Sequence, residues 1–377
     1  MSRKIVVISI NASWNIVNFR RGLIAALQER GFDVVALAPA DAYSARFAAL
    51  GVRYHPIEMD KQGVSPLRDF QLLLRYRRAL KRIRPDVFLG YTAKPNVYGS
   101  LAAHALGIPV INNVSGLGTA FIKQGLLTRI VSTLYRVAFR RSSTVFFQNS
   151  EDRDMFVRAK LVGETQARLL PGSGVNLQEF QPEPVCKATS DRFSFLLIAR
   201  LLWDKGVCEY VTAARLVREC EPRARFQLLG FLDVANRTAV GRDDVERWVG
   251  EGVIEYLGHS DDVRPHIAGA DCVVLPSYRE GLPRVLLEGA AMGKPLIATD
   301  VPGCRQVVDD GLNGFLCTVR DPQSLADAML KMLALGDAER AALGNAGRRK
   351  IETEYDQRIA IERYLAAINV ALGQRSS

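Results

Sequence analysis

The chain opens with an alternation of apolar runs and amphipathic segments. Residues 4–10 form a nearly continuous apolar run, residues 20–30 have helical composition, and Gly31 follows directly. An apolar run of this length is typical of a strand buried on both faces, and a closing glycine is typical of a helix end. The pattern therefore predicts that the chain begins with a βα unit.

The alternation continues and predicts a first parallel sheet. Further strands are predicted at residues 32–38, 52–57, 86–91, 109–114 and 144–148. Helices are predicted at residues 42–50, 69–83 and 96–106, and from residue 150 onward. Strands that alternate with helices in this way form parallel sheets covered by helices.

A second series of the same kind follows a polar segment at residues 181–190, which contains two prolines and lacks periodicity. We interpret that segment as an interdomain linker. Strands are predicted at residues 193–199, 226–229, 254–257, 272–275, 296–299 and 314–317, followed by helices that break near Gly336 and Tyr355. We expect domains at residues 1–182 and 183–355, and a C-terminal helix within residues 356–377 that packs back toward the first domain.

Composition narrows the class of protein. A chain of 377 residues with 48% hydrophobic residues has enough apolar material for two cores. We find no apolar run of the roughly 20 residues that cross a bilayer and no signal peptide, so we expect a cytoplasmic protein. The six cysteines contain no CxxC pair, and we expect buried apolar residues rather than zinc ligands or disulfides at Cys186, Cys208, Cys220, Cys272, Cys304 and Cys317.

The positive charge belongs to the first half of the chain. Residues 1–182 hold 25 Lys and Arg against 12 Asp and Glu, whereas residues 183–377 hold 25 against 28. Such a half attracts phosphates, acidic lipids or nucleic acid. Residues 72–84 and 126–141 combine apolar residues with charges that are all cationic, which suits either docking on an anionic membrane or a solvated helix that covers the sheet.

The segment at residues 273–299 carries candidate chemistry. A strand is predicted to end at Pro276, Glu280 and Gly281 turn the chain, and residues 285–292 are predicted to be helical. Free backbone amides at such a helix end bind anions, for example a nucleotide diphosphate. Glu288 has apolar neighbours, so we expect it on a packed face with ribose hydroxyls as partners; the alternative is that Glu280 caps a helix and Glu288 is solvated.

A second candidate segment precedes a predicted helix. Arg200 and Lys205 flank a strand-to-helix turn in Ala199-Arg-Leu-Leu-Trp-Asp-Lys-Gly206. Two cations at such a turn are placed to neutralise a departing nucleoside diphosphate, although ordinary surface cations are the alternative.

These motifs together resemble glycosyltransferase family 4. Glu280 and Glu288 reproduce its E-x7-E signature, residues 199–206 are similar to its G-R-L-x-x-x-K-G segment, and residues 171–176, 256–263 and 309–315 match further. The resemblance implies an α/β protein of GT-B fold, in which two Rossmann-like parallel-sheet domains face a central cleft. It also implies sugar transfer with retention, in which a donor phosphate oxygen takes the acceptor proton.

The resemblance further implies roles for individual residues. Glu280, Arg200 and Lys205 would be catalytic, and neither a metal nor another cofactor would be needed. The donor nucleotide would be bound by Glu288, Gly281, Leu282, Pro283, Val285, Leu286, Gly258 and His259.

Residues 91–100 and 113–121 resemble bacterial members that extend undecaprenyl-diphosphate-linked sugars in O-antigen, capsule or glycan assembly. We therefore expect a UDP-sugar donor (N-acetylhexosamine or hexose), a lipid-linked saccharide acceptor and peripheral docking on the cytoplasmic face of the inner membrane, with no nucleic-acid partner. The expected acceptor-binding residues are Lys94, Asn96, Asn15, Gly116 and Gly118.

The chain departs from the family pattern in three places, one of which is Asn176 at a position that is often Asp. Residues 11–15 stand where many relatives have a Gly-Gly loop, and residues 114–116 stand where many have a histidine. We therefore nominate no catalytic histidine and expect His104 to be structural. Asp152 and Asp154 form a DxD sequence, which we interpret as the first turn of a helix rather than as a metal site.

Four other functions stay open on the sequence alone. A UDP-sugar epimerase-like hydrolase and a GDP-mannose-dependent mannosyltransferase fit the same scaffold. A nicotinamide oxidoreductase is disfavoured because residues 9–14 lack G-x-G-x-x-G. A nucleic-acid-binding protein would explain the basic half, but no known binding motif accompanies the charge.

Overall fold

The computed structural model describes residues 3–60, 65–116, 126–182, 192–232, 236 and 238–373. The chain divides into two compact units, Met1–Ser173 with Gln357–Ser377, and Gly174–Asp356. The division therefore falls at residue 173 rather than at 182, and the C-terminal helix is counted with the first unit.

The first unit contains a seven-stranded parallel sheet with strand order β3-β2-β1-β4-β5-β6-β7. Its strands are β1 (Ile5–Ser9), β2 (Asp33–Ala38), β3 (Arg53–Pro56), β4 (Val87–Tyr91), β5 (Val110–Val114), β6 (Thr144–Phe147) and β7 (Ala167–Leu169). Its first helices are α1 (Ser13–Phe19), α2 (Arg21–Glu29), α3 (Pro66–Ile83), α4 (Ser100–His104), α5 (Leu126–Phe139) and α6 (Ser150–Arg158).

The second unit contains a six-stranded parallel sheet with strand order β10-β9-β8-β11-β12-β13. Its strands are β8 (Ser194–Ile198), β9 (Arg225–Leu229), β10 (Glu255–Tyr256), β11 (Cys272–Leu275), β12 (Leu296–Thr299) and β13 (Gly314–Cys317). Its helices are α7 (Val207–Cys220), α8 (Arg242–Gly250), α9 (Arg264–Gly269), α10 (Arg284–Ala291), α11 (Cys304–Val307), α12 (Pro322–Ala334) and α13 (Asp337–Lys350). The fold is thus two parallel-sheet α/β domains, as the sequence predicted.

Both faces of the sheets are buried, which explains the unbroken apolar runs. In β1, Val6 and Ile8 belong to one core cluster, whereas Val7 belongs to the cluster on the opposite face. In β11, Val273 and Val274 divide in the same way between two clusters of the second unit. A strand covered by helices on both faces needs apolar residues at consecutive positions.

The last helix, α14 (Gln357–Ala371), packs on the first sheet. Tyr364 and Ile368 are buried in the same cluster as Ile8 of β1 and Ile24 of α2. The side-chain amide of Asn113, in β5, donates to the hydroxyl of Tyr364 over 2.7 Å. The end of the chain thus completes the core of the unit in which the chain begins.

Several elements differ from the prediction. Helix α1 was not expected, the helix at residues 42–50 is a 3₁₀ helix (Ser44–Leu50), and the helix at residues 96–106 begins with a π-helical turn (Pro95–Gly99). The three-residue strand β7 was also missed. All of these are short, and local periodicity is weakest in short segments.

The cysteines divide into two groups. Cys272, Cys304 and Cys317 are buried as predicted, but Cys208 and Cys220 are exposed, so the prediction was wrong for these two positions. Both lie on solvent-facing positions of the amphipathic helix α7, whereas the buried three lie in β11, α11 and β13. Cys186 lies outside the described residues.

Within the described ranges, no helix has both the length and the apolar character that crossing a bilayer requires.

Candidate active site

Two chain segments meet backbone to backbone at the carboxyl edge of the second sheet. Gly206, in the turn after β8, has a φ of +72°, the left-handed region that glycine adopts at little cost. A Cβ atom there would lie 2.0 Å from the carbonyl oxygen of Pro276, the residue after β11. The amide of Tyr278 donates to the carbonyl oxygen of Asp204 over 2.9 Å. The glycine therefore allows the two predicted functional segments to lie in direct contact.

Lys205 and Glu280 form an ion pair where these segments meet, and their side chains are 20% and 14% exposed. A pair at this depth is screened by salt less than a surface pair is. Arg200 is exposed at the same edge, and the described part of the chain offers it no ion-pair partner. The structure thus joins two of the three predicted catalytic residues and leaves the third as a free cation beside the same turn.

The loop after β12 supports Glu280 from another side. A Cβ atom at Gly303, whose φ is +85°, would lie 2.8 Å from the carbonyl oxygen of Glu280. Thr299, at the end of β12, donates its hydroxyl to the carbonyl oxygen of Ser277. The Ser277 Oγ atom is itself buried and has no hydrogen-bond partner among the described residues. Such orphan atoms are rare in native structures, so Ser277 marks a polar position that the sequence analysis missed.

Helix α10 begins directly after the loop that follows β11 and carries Glu280. Its N-cap, Pro283, is extended and supplies no side-chain cap. The first amides of a helix have no acceptor within the helix, and the helix dipole favours an anion there. Gly281 and Leu282 precede this helix end, as the diphosphate prediction requires.

Two predicted nucleotide-binding residues lie in the first turn of α10 and differ in exposure. Val285 is partly exposed, whereas the Leu286 side chain is fully buried in the core. The amide of Leu286 also donates to the carbonyl oxygen of Pro283 over 3.2 Å. Leu286 therefore positions the helix by packing, and its side chain is closed to solvent.

Glu288 lies one turn farther along α10 and is only 8% exposed, which agrees with the predicted packed face. Its Oε1 atom accepts from Nε of Arg284 over 2.5 Å. Burial raises the pKa of Glu288 above its usual value, and the positive charge of Arg284 partly offsets that rise. The carboxylate therefore already has one charged partner on its own helix.

His259 lies on a neighbouring turn of the same sheet edge. Its ring stacks on the ring of Phe231, with centroids 4.6 Å apart and an interplanar angle of 25°. Gly258 has a φ of +74°, and its carbonyl oxygen accepts from the amide of Gly230 over 2.8 Å. The turns after β9 and β10 are thus tied together, and they present an aromatic pair with a partly exposed face.

Sequence reasoning missed Phe231, Ser277 and Arg284. Arg284 was detectable, because it lies directly before a predicted helix and precedes Glu288 by four residues, the helical spacing at which opposite charges pair. Phe231 had a weaker signal, an aromatic residue beside a glycine at the end of a strand. The burial of Ser277 depends on β12, which is distant in sequence.

The first unit has a cavity of about 630 Å³ at the carboxyl ends of β2 and β3. Lys94, a predicted acceptor-binding residue, lines it together with Asp60 and Arg68. The ammonium of Lys94 is 2.8 Å from Oδ1 of Asp69, a buried residue of α3. The cavity therefore has a fixed cation at its wall.

The other predicted acceptor-binding residues differ in their surroundings. Asn96 is buried, its amide nitrogen donates to the carbonyl oxygen of Asn113 over 2.8 Å, and its Oδ1 accepts from Asn112 over 3.0 Å. Its polar atoms are thus used within the fold. Asn15 is partly buried, and its Oδ1 has no hydrogen-bond partner among the described residues. Gly116 follows β5 with a φ of +134°, and Gly118 lies outside the described residues.

Asp152 and Asp154 lie in α6, as predicted, and Asn149 caps this helix by accepting from the amide of Asp152. His104 lies in α4 and its Nε2 is 2.9 Å from the carbonyl oxygen of Ala138, so its role is structural. Across the residues that the structure describes, no three His, Cys, Asp or Glu side chains converge as metal ligands.

Comparison with known proteins finds one family model for each half of the chain. A glycosyl transferase 4-like domain model matches residues 16–172, and a model of glycosyl transferases group 1 matches residues 192–335. The second match contains both segments that meet at Lys205 and Glu280.

Two curated relatives and one solved structure illustrate the similarity. N,N'-diacetylbacillosaminyl-diphospho-undecaprenol alpha-1,3-N-acetylgalactosaminyltransferase of Campylobacter jejuni is 27% identical over 94% of this chain and 96% of its own length. UDP-Gal:alpha-D-GlcNAc-diphosphoundecaprenol alpha-1,3-galactosyltransferase of Escherichia coli is 23% identical over 72% of each chain. The crystal structure of HepE from Anabaena in complex with UDP and glucose has a TM-score of 0.78 at 18% identity, covering 97% of this chain and 99% of its own.

The structural similarity identifies the fold as GT-B, and the two family models together span most of the chain. The protein therefore belongs to the glycosyltransferases that combine a glycosyl transferase 4-like domain with a glycosyl transferases group 1 domain.

Proposed function

We propose that the protein transfers a sugar, an N-acetylhexosamine or a hexose, from a UDP-sugar to an undecaprenyl-diphosphate-linked saccharide, with retention at the anomeric carbon. The observation that carries this proposal is the Lys205–Glu280 ion pair beside the free cation Arg200 and the start of α10. The names of both curated relatives support the acceptor class, and the name of the Escherichia coli relative supports UDP as the carrier.

The chemistry follows from where charge develops. The bond between the sugar C1 and the donor phosphate oxygen breaks, and the acceptor hydroxyl oxygen bonds to C1 on the same face. The acceptor proton passes to an oxygen of the departing diphosphate. Lys205, Arg200 and the amides at the start of α10 stabilise the negative charge of UDP, which fixed donors in a protein do better than water does. These two cations and the backbone amides together neutralise the charge of the departing UDP, so the mechanism uses neither a metal ion nor another cofactor.

The two carboxylates have different tasks in this mechanism. Glu280 accepts hydrogen bonds from the donor sugar and at the same time fixes the ammonium of Lys205. Glu288 accepts from the ribose hydroxyls through the lone pairs that Arg284 leaves available. Phe231 and His259 offer an aromatic face near the same edge.

We further propose that transfer to this lipid-linked acceptor takes place at the cytoplasmic face of the inner membrane. Helix α3 supports docking there, because Leu67 and Phe70 are 70% and 57% exposed and are followed by Arg77 and Lys81 on the same outward side. Apolar side chains that enter the interface, together with cations that meet anionic headgroups, hold peripheral proteins on membranes.

The test is transfer from UDP-sugars to a short-chain polyprenyl-diphosphate saccharide, with EDTA present. Lys205→Gln and Glu280→Gln should each lower kcat by about 100-fold or more, since each removes a charge aimed at the reacting groups. Arg215→Gln is the matched control, because Arg215 and Glu251 form an exposed ion pair in the same unit.

Three outcomes would contradict the proposal. Transfer by both site variants within threefold of wild type would show that the site lies elsewhere. Release of UDP at an equal rate without acceptor would indicate a hydrolase. Complete loss of transfer with EDTA, restored by a divalent cation, would overturn the metal-free mechanism.

A further inference from the structure

A second cavity of the first unit lies between the edge strand β3 and helix α3. It has a volume of about 430 Å³ and is lined by His55, Pro56, Ile57, Glu58, Arg75, Arg78, Ala79 and Arg82. We call it the β3–α3 groove. None of the residues nominated from the sequence for the donor or acceptor lines it.

The groove has more positive charge than the fold requires. Arg75 is paired with Glu58 over 3.0 Å. Arg78 and Arg82 are exposed, and neither has an ion pair or hydrogen bond with any described residue. They lie four residues apart on one helix, a spacing at which like charges repel. Two guanidinium groups without a protein partner therefore leave the groove positively charged and open to an anion from outside the chain.

The residues that line the groove suit a phosphate ester. Guanidinium groups present planar pairs of N–H donors that match phosphate oxygens, and Arg78 and Arg82 are adjacent along the helix face. The floor contains Ile57, which is buried, and Ala79, which suit the carbon atoms next to the phosphate. A bare inorganic anion would leave that apolar part of the groove uncovered.

We propose that the β3–α3 groove binds the phosphate of one anionic phospholipid headgroup and thereby seats the first unit on the membrane. The proposal deepens the proposed function, on whose membrane-linked acceptor it rests. The outward side of α3 supports a lipid as the source, because Leu67 and Phe70 are uncovered on the same helix. Arg75 lines both the groove and the 630 Å³ cavity, so a seated headgroup lies next to the proposed acceptor cavity.

The test compares two pairs of substitutions on one helix that remove the same charge. Arg78→Gln with Arg82→Gln removes the two unpaired cations that line the groove. Arg77→Gln with Lys81→Gln removes two cations from the same helix that do not line the groove. Binding of the full chain is measured with vesicles of phosphatidylglycerol in phosphatidylcholine. The loss of two surface charges alone weakens such binding by about 30-fold. We expect the groove pair to weaken it by at least a further tenfold, because bonds to a seated phosphate are lost as well.

Two further arms distinguish a seated headgroup from general charge attraction and from a site for free phosphate. Arg78→Lys with Arg82→Lys keeps the charge but not the paired donors, and it should bind vesicles more weakly than wild type. Glycerol 1-phosphate should compete with vesicles for the wild type but not for the groove pair, and inorganic phosphate should compete less well. Equal losses in both glutamine pairs, or equal competition by inorganic phosphate, would overturn the proposal.

Failure of the groove can be distinguished from failure of the proposed function. Stabilisation by UDP depends on the second unit, and sugar transfer to a short-chain acceptor in detergent needs no vesicle. Both should stay within about threefold of wild type in every α3 variant, since none of the four residues is assigned to the donor or acceptor. A loss of UDP stabilisation in the groove pair alone would also overturn the assignment.

Discussion

At the residue scale, Glu288 combines a buried carboxylate with a single charged partner. Burial raises its pKa, and Arg284 compensates only in part. When the pKa in the folded state lies above the unfolded value, folding favours the protonated form, so the associated stability is present at low pH and is lost as the pH rises. Each unit of pKa difference corresponds to about 1.4 kcal/mol.

We therefore predict how Glu288→Gln changes stability with pH. The free energy of unfolding of wild type, relative to the variant, should fall as the pH rises from about 4 through the raised pKa, because only wild type must then bury a charge. Urea unfolding followed by tryptophan fluorescence measures this difference. A Trp14→Phe background leaves only Trp203 and Trp248, both in the second unit, as reporters.

Glu255→Gln provides the control with the opposite sign. The hydrogen bond from Arg225 lowers the pKa of Glu255, so wild type should gain stability over this variant as the pH rises through that lowered pKa toward the unfolded value. A difference for Glu288→Gln that rises with pH, or that does not change, would contradict the interpretation of its burial.

Single side chains show what sequence reasoning can reach. The packed face of Glu288 was predictable from its apolar neighbours, which repeat with the period of a helix. The hydrogen bonds of Asn96 were not predictable, because its partners Asn112 and Asn113 lie on β5, which is near Asn96 only in the folded sheet. Partners that are distant in sequence leave no local pattern.

At the scale of elements, the candidate site depends on the turn between β8 and α7. Two features of this turn require a glycine at position 206: the backbone is left-handed, and the carbonyl group of Pro276 lies where a side chain would be. Gly206→Ala should lower the free energy of unfolding by about 3 kcal/mol or more, because backbone strain and steric overlap add together. The variant should also lose affinity for UDP, which is measured by titration calorimetry, since the turn carries Lys205.

Gly252→Ala separates the effect of backbone strain from the effect of steric overlap. Gly252 has a φ of +68°, close to that of Gly206, but a Cβ atom there would meet nothing within 4 Å. Its substitution should cost about 1 kcal/mol from backbone strain alone and leave UDP affinity unchanged. Equal effects of the two substitutions would show that the contact with Pro276 does not hold the site together.

Strands were predicted best where both faces of the sheet are buried. The bounds of β11, β12 and β13 match the prediction at both ends, since an apolar run bounded by polar or turn residues defines such strands. Helix α1 was missed because Ser13, Asn15 and Asn18 favour caps and turns over helix interiors. Its helical form is stabilised by burial of Ile16 and Val17, a tertiary effect.

At the scale of the whole molecule, the chain returns to its first unit after completing its second. The helical pattern of residues 356–372 predicts α14 but not the strands that it covers. Contact with the first sheet arises from Tyr364 and Ile368, which join the cluster of Ile8 and Ile24. Stability of the first unit should therefore depend on residues more than 180 positions after its last strand, β7.

Ile368→Ala tests this dependence without removing the helix. Ile368 is fully buried, and truncating such a side chain costs about 2–5 kcal/mol through lost burial and the cavity that remains. Hydrogen exchange should become faster in β1, β4 and β5, whereas β11 and β12 should keep their protection, because the buried residues of β11 and β12 and those of α14 belong to different core clusters. Val370→Ala, two residues away and 62% exposed, should leave the protection of both sheets unchanged.

Equal loss of protection in both sheets would mean that the units unfold as one cooperative body, and then UDP bound to the second unit would also stabilise the first. Loss confined to the first sheet would instead mean that the proposed donor site can stay folded and bind UDP while the first unit opens.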